Sequence, residues 1–168
     1  MDIDLRHFEE KDKSLFLNEY SDIKKFEYFR YYNPVRVPWS TITDRNGKNH
    51  YFAITDLDTD ELIGTMFAQR SEEHRPYKVE FSTLPKYSKK GYCKQAFKLL
   101  MKYLKDNLKV DYVTLSVNDK NEASIKFIEG LKDEFTVDDV KVFEEGRLYF
   151  VRERTQDIDI RSHQHEER

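Results

Sequence analysis

The stretch Leu84-Pro85-Lys86-Tyr87-Ser88-Lys89-Lys90-Gly91-Tyr92-Cys93 decides how this chain is read. It leaves an apolar strand over 77–84, passes through a small, basic turn and enters a long amphipathic helix. The first N–H groups of a helix lack intrahelical acceptors, and the positive end of the helix dipole lies beside them. A turn of this kind is therefore an anion site, with phosphate its usual occupant. Lys86, Lys89, Lys90 and Lys94 add full charges around the same spot. The helix that follows carries Tyr92, Ala96, Leu99, Leu100, Tyr103, Leu104 and Leu108 at a 3.6-residue period, which is a core-facing stripe. Its remaining lysines, Lys98, Lys102, Lys105 and Lys109, read as a solvated face beyond the reach of a ligand at the N-terminus.

Working outward, residues 50–56 and 62–69 alternate apolar and polar side chains around the acidic turn 57–61, the pattern of a β-hairpin. Downstream, 111–117 reads as a strand with Val113, Leu115 and Val117 on one face. A polar loop over 118–121 follows, and Asn121 or Asp119 can cap a helix that runs to about Leu131. A closing hairpin is expected from 140–144 and 147–152 around Glu145-Gly146. At the front, a short strand over 3–6 precedes helical stretches near 9–20 and 21–31, stopped by Pro34 and Pro38. The aromatic run from Tyr28 to Tyr32, with Trp39, reads as helix packing on a sheet rather than as a pocket lining.

At 168 residues the chain is long enough for one well-packed domain, placed at 1–153, followed by a polar tail over 154–168 expected to be poorly ordered. The single cysteine, Cys93, excludes an intramolecular disulfide and a thiolate metal cluster. The HxH in the tail is not read as a metal site, so no metal is expected. The acidic opening MDIDLRHFEE has no apolar run, and no stretch approaches the ~20 apolar residues that span a bilayer. The expectation is a cytoplasmic protein with no membrane contact. Its net charge is −3, yet residues 86–109 hold eight lysines against one aspartate. Concentrated positive charge in an otherwise acidic chain fits a small phosphorylated ligand and argues against nucleic acid.

The order of elements, with two signatures in it, resembles the GNAT N-acetyltransferase superfamily, whose members move an acetyl group from acetyl-CoA to an amine. In layout the chain is most similar to the branch that acetylates the N-terminal alanine of ribosomal proteins. The family's pyrophosphate loop, Gln/Arg-x-x-Gly-x-Gly/Ala after a strand-ending proline, is matched by Pro85 and Ser88-Lys89-Lys90-Gly91-Tyr92-Cys93. Its second signature, Asn-x-x-Ala/Ser before an aromatic-bearing helix, is matched by Asn121-Glu122-Ala123-Ser124-Ile125-Lys126-Phe127.

The resemblance implies an α/β (α+β) fold: a mostly antiparallel, twisted mixed sheet of six to seven strands with helices on both faces, splayed where CoA inserts. It implies that Ser88, Lys89, Lys90, Gly91, Tyr92, Cys93 and Lys94 surround the CoA pyrophosphate. Phe81, Ser82 and Thr83 would pair through their backbone with pantetheine, and Asn121 and Phe127 would flank it. Asn121 as a plain helix cap and Phe127 as plain core stay open beside that. Ser88 stands where the family has Gln or Arg, Cys93 where it has Gly or Ala, and Ile128 where many members carry a proton-donating Tyr. The Gly-Phe that usually ends the second signature is absent. Tyr149 is the substitute acid nominated by position, and Glu80 the candidate base, with an exposed strand carboxylate as its plainer reading. Some relatives carry the base one strand over, where this chain has Ser116.

Three functions stay in play. The first is an acetyl-CoA-dependent N-acetyltransferase acting by direct attack in a ternary complex on a peptide N-terminus or small cationic amine. The second is a non-catalytic CoA-binding or regulatory protein on the same fold. The third makes the lysine-rich helix a nucleic-acid contact. Edge strands in such sheets often pair between subunits, which leaves a homodimer open.

Overall fold

Alternation along the central strands sends apolar side chains to both faces of a single sheet, so two separate cores form. The computed structural model describes residues 1–20, 38–142 and 146–154. Its strands are β1 (Ile3–His7), β2 (His50–Asp56), β3 (Leu62–Gln69), β4 (Lys78–Thr83), β5 (Tyr112–Asn118), β6 (Phe135–Val142) and β7 (Gly146–Glu153). Its helices are α1 (Lys13–Tyr20), α2 (Trp39–Ile42), α3 (Tyr92–Leu108) and α4 (Glu122–Leu131). The strands lie in the order β1-β2-β3-β4-β5-β7-β6. Every neighbouring pair is antiparallel except β4 and β5. The twisted mixed sheet with helices on both faces, expected from the resemblance, is the one observed.

On one face, Phe52 and Ile54 of β2, Met66 and Ala68 of β3 and Val79 of β4 pack under Ala96, Phe97, Leu100 and Leu104 of α3 and under Ile128 and Leu131 of α4. Fully burying a side chain such as Leu100 contributes about 1.5–3 kcal/mol. On the other face, Tyr51, Ala53 and Phe67 meet Phe8, Phe16 of α1 and Ile42 of α2. Trp39 stands edge-on to Phe8 at 5.9 Å and tilted to Phe16 at 5.7 Å, so it packs as expected. A β-bulge feeds both cores: Thr55 pairs with Leu62 and Ile54 with Gly64, leaving Ile63 as the extra residue. Leu62 thereby joins one core and Ile63 the other. The next position tolerates no side chain, since a Cβ on Gly64 would come within 2.1 Å of the Ser82 carbonyl oxygen on β4.

Two expectations need amendment. Strand β6 begins at Phe135, not at 140, because Phe135 is buried edge-on against Phe97 at 5.3 Å and pairs with Glu153. The acidic Asp138 and Asp139 interrupt the apolar alternation that would have announced it. The stretch 9–20 splits into a 3-10 turn, Glu10–Asp12, and α1. Arg6 of β1 holds that junction by donating to both Asp12 oxygens at 2.7 and 2.9 Å and to Asp60 at 2.6 Å. The helix over 21–31, the aromatic run 28–32 and the tail 155–168 lie outside the described residues.

Far from the basic turn, His50 stacks on Phe52 at 6.4 Å and meets Tyr77 and Tyr103 edge-on, while His7 packs on Phe52 at 5.1 Å. Burial holds both imidazoles below their usual pKa, helped by Arg45 at His7 and by His7 and Arg70 at His50. The unfolded chain therefore takes up more protons than the folded one once pH falls below about 6.5. Stability is expected to drop through that range, and a His7→Asn, His50→Gln variant should lose less between pH 7.5 and 5.5. Denaturant midpoints at the two pH values measure it, and equal losses in both proteins would refute it.

Candidate active site

The polypeptide leaves β4 at Leu84, makes a 3-10 turn over Pro85–Tyr87 and enters α3 through two left-handed residues, Lys89 at φ 60° and Gly91 at φ 80°. The first amide of this region to donate into the helix is that of Gln95, to the Gly91 carbonyl at 3.3 Å. The N–H groups from Lys89 to Lys94 thus have no acceptor among the described residues. Free amides in such a curled segment at a helix N-terminus form an anion-binding concavity. A Cβ on Gly91 would meet nothing within 4 Å, so glycine is required there by its φ and not by crowding from the protein.

The lysines divide by their partners. Lys94 lies 4.0 Å from Asp133 and Lys98 pairs with Glu134 at 3.1 Å, while the Lys86 ammonium sits over the Tyr87 ring at 5.0 Å. Lys89 and Lys90 are exposed and have no acidic partner among the described residues. Ser88 is exposed, yet its Oγ donates to the Pro85 carbonyl at 2.9 Å, so it braces the turn.

Next to the turn the sheet opens. Strands β4 and β5 share one paired position, Lys78 with Thr114, where the Thr114 amide donates to the Tyr77 carbonyl at 2.9 Å. Leu84 N–H points the other way, to Ile63 of β3. Alternation between these two fixed points aims the N–H and C=O groups of Phe81 and Thr83 into the gap beside β5. The Phe81 ring lies 4.4 Å from Phe127 of α4, which in turn stands edge-on to Phe97 of α3 at 5.9 Å. Asn121 is the N-cap of α4, its Oδ1 accepting from the Ser124 amide at 3.2 Å, which leaves its Nδ2 group as a donor. The sequence readings of Asn121 as cap and Phe127 as core are both observed.

Glu80 and Ser82 lie on the face of β4 turned away from α3, because Val79 and Phe81 on either side belong to the α3 core. The Glu80 side chain is 12% exposed and lies 3.3 Å from Lys78 Nζ. It is not the exposed strand carboxylate of the plainer reading. Burial raises its pKa and Lys78 pulls it back. Tyr149 pairs with Leu115 and packs on the α3 core, so it stands on the opposite face of the sheet. The fold gathers the turn, Phe81, Thr83, Asn121 and Phe127 around one opening and does not bring Glu80 and Tyr149 together.

Two features escaped sequence reasoning. The Thr65 and Ser82 hydroxyls lie 3.0 Å apart, buried beside Glu80, and only the β3–β4 register reveals them. A groove of about 600 Å³ runs along α1 to the basic turn, lined by Lys11, Asp12, Glu19, Asp60, Glu61 and Lys86 together with Leu84, Pro85 and Tyr87. Its walls come from segments far apart in the chain. No short-range pattern could have signalled it.

A family model described as an acetyltransferase (GNAT) domain matches residues 2–132. The chain belongs to the GNAT acetyltransferase family. The GNAT fold is borne out by solved structures. The ribosomal-protein-S5-alanine acetyltransferase from Vibrio fischeri is similar at 14% identity and a TM-score of 0.69, covering 92% of this chain and 94% of that one. A spermidine N-acetyltransferase from Vibrio cholerae, solved in complex with CoA and spermine, matches at 14% identity and a TM-score of 0.70 over 90% of this chain and 96% of its own. A GNAT-family acetyltransferase from Bacillus anthracis gives 18%, 0.68, 90% and 93%. No functionally curated protein matches the chain in sequence. Among the described residues, no helix of this GNAT protein is long and apolar enough to cross a membrane.

Cys93 enters α3 in its first turn, where a helix N-terminus favours a thiolate. Desolvation prevails, and burial pushes the thiol up to about 12. Iodoacetamide at pH 8 is expected to label the native protein at least roughly tenfold more slowly than the protein unfolded in guanidinium. Equal rates would show an accessible, reactive thiol.

Proposed function

We propose that the protein transfers an acetyl group from acetyl-CoA to a primary amine, a peptide N-terminus or a small cationic amine, by direct attack in a ternary complex. The observation that carries this reading is the run of free amides from Lys89 to Lys94 set beside the unpaired edge of β4. The amides, with Lys89 and Lys90, are suited to the pyrophosphate of CoA. The free groups of Phe81 and Thr83 suit the amides of a pantetheine arm laid in as an extra strand. Asn121 Nδ2 would donate to that arm and Phe127 would pack beside it.

In the reaction the amine nitrogen bonds to the thioester carbon, the C–S bond breaks and CoA leaves as a thiolate. Backbone N–H groups of β4 facing the gap would stabilise the charge on the carbonyl oxygen. The acceptor ammonium gives one proton to Glu80, whose burial brings its basicity closer to neutral pH, before the neutral amine attacks, and the second nitrogen proton passes to water as the C–S bond breaks. Tyr149, on the other face, is the group proposed to return a proton to the thiolate. The groove would offer a cationic acceptor the carboxylate of Glu61, since Asp12 and Asp60 are held by Arg6 and Lys11. We take 1–153 as a single transferase domain with 154–168 as its tail, acting in the cytoplasm. The sheet edges β1 and β6 are the strands through which a homodimer would pair.

A second reading, a CoA-binding protein without turnover, draws on two observations. The Ser88 hydroxyl is committed to Pro85, and Ile128, where the family often has Tyr, is buried at 2% exposure.

Calorimetric titration with acetyl-CoA is expected to show saturable binding that Gly91→Glu weakens at least roughly tenfold, since the variant sets a carboxylate against the phosphates at a left-handed position. No binding by the wild-type protein would overturn both readings. Binding without CoA release on incubation with spermine or an alanine-initiated peptide would favour the second.

A further inference from the structure

Lys78 and Glu80 are two residues apart on β4 and project from the same face, away from α3. Their charged atoms, Lys78 Nζ and Glu80 Oε1, are 3.3 Å apart, with the glutamate side chain 12% exposed and the lysine 36% exposed. Glu80 Oε2 has no hydrogen-bond partner among the described residues. The neighbours that the sheet places around the pair carry no charge. On β3, Phe67 lies opposite Glu80 and Gln69 opposite Lys78. On β5, Thr114 lies opposite Lys78 and Ser116 follows on the same face. Among the described residues, Lys78 is therefore the one charged group that acts on Glu80. It sits where β4 and β5 make their single pairing, immediately before the sheet opens.

We propose that Lys78 is a positioning residue, whose ammonium fixes both the direction and the charge of the Glu80 carboxylate at the mouth of the opening. The inference rests on the reading of Glu80 as the base of the transfer. A carboxylate this desolvated tends to take a proton and so lose its ability to accept one from the incoming ammonium. Lys78 opposes that tendency. It also occupies Oε1, so Oε2 is the atom left to receive the amine proton. Lys78 itself touches no reacting atom.

The Glu80 carboxyl carbon can be followed by NMR titration in the wild type, K78M and K78R, which requires no substrate. The midpoint is expected to rise by about one pH unit in K78M, the lower end for losing an opposite charge at this distance because the lysine is partly exposed, and to return in K78R. The acid limb of kcat/KM for acetyl transfer to spermine should move upward by the same amount in K78M. An unchanged Glu80 midpoint in K78M overturns the role of Lys78 and leaves the base reading standing. An E80Q protein is expected to lose roughly 10²–10⁴-fold in kcat/KM. If E80Q keeps wild-type kcat/KM, the base reading falls and the positioning role falls with it.

Discussion

One paired position, Lys78 with Thr114, where the Thr114 amide donates to the Tyr77 carbonyl, joins the two halves of the sheet where they run parallel. Beyond it the ladder is not continued. Backbone amides and carbonyls in a protein interior demand partners, so a sheet that opens in the middle leaves a debt for water or a ligand to settle. The halves do not drift apart because packing closes them elsewhere. Helix α3 lies on β1, β3 and β4, α4 lies on β5 and β6, and the two helices touch. The Phe81–Phe127–Phe97–Phe135 chain of rings links β4, α4, α3 and β6 behind the opening. The rigidity of the cleft is thus supplied by side chains, while its chemistry is supplied by main chain.

The same division explains how an acidic chain can present an anion site. Net charge is a property of the whole surface, whereas the free amides at the start of α3 are fixed by two left-handed residues and need no side chain. Lys94, Lys98 and Lys105 of the helix are drawn off by Asp133, Glu134 and Glu153, whereas Lys89 and Lys90, which have no acidic partner among the described residues, stand at the turn. The carboxylates gather on the α1 side, along the groove.

What could be read from the sequence was what short-range periodicity encodes. The α3 stripe, the β2–β3 hairpin, the turn before Tyr92 and the cap at Asn121 each show themselves within a dozen residues, and each stands where it was expected. The GNAT fold followed from their order. What depends on register across the sheet could not be read. Whether Glu80 and Tyr149 share a face is settled by the partners of Val79 and Leu115, and the Thr65–Ser82 hydroxyl pair joins residues of different strands. Strand β6 was shortened in the reading because Asp138 and Asp139 conceal a pairing that β7 enforces. The groove was invisible for the same reason.

The bulge at Ile63 carries a consequence for how this hairpin can change over evolutionary time. Side chains alternate with a period of two, so losing one residue from a strand inverts every side chain beyond the gap. Ile63 is exempt from that rule, because it is the extra residue of the bulge: without it Leu62 would still pair with Thr55 and Gly64 with Ile54, in plain alternation, and only the Ile63 side chain would be lost from its core. A deletion at a paired position such as Thr65 would instead turn one arm of the hairpin inside out and carry Gly64 away from the Ser82 carbonyl that only a glycine can face. Variation in length is admissible at the outermost tip, Asp58 and Thr59, which touches neither core, since the Asp56 amide donates to the Glu61 carbonyl, the Leu57 amide to Asp2, and Asp60 accepts from Arg6. The hairpin is thus a ruler whose tip can be lengthened and whose markings cannot be moved.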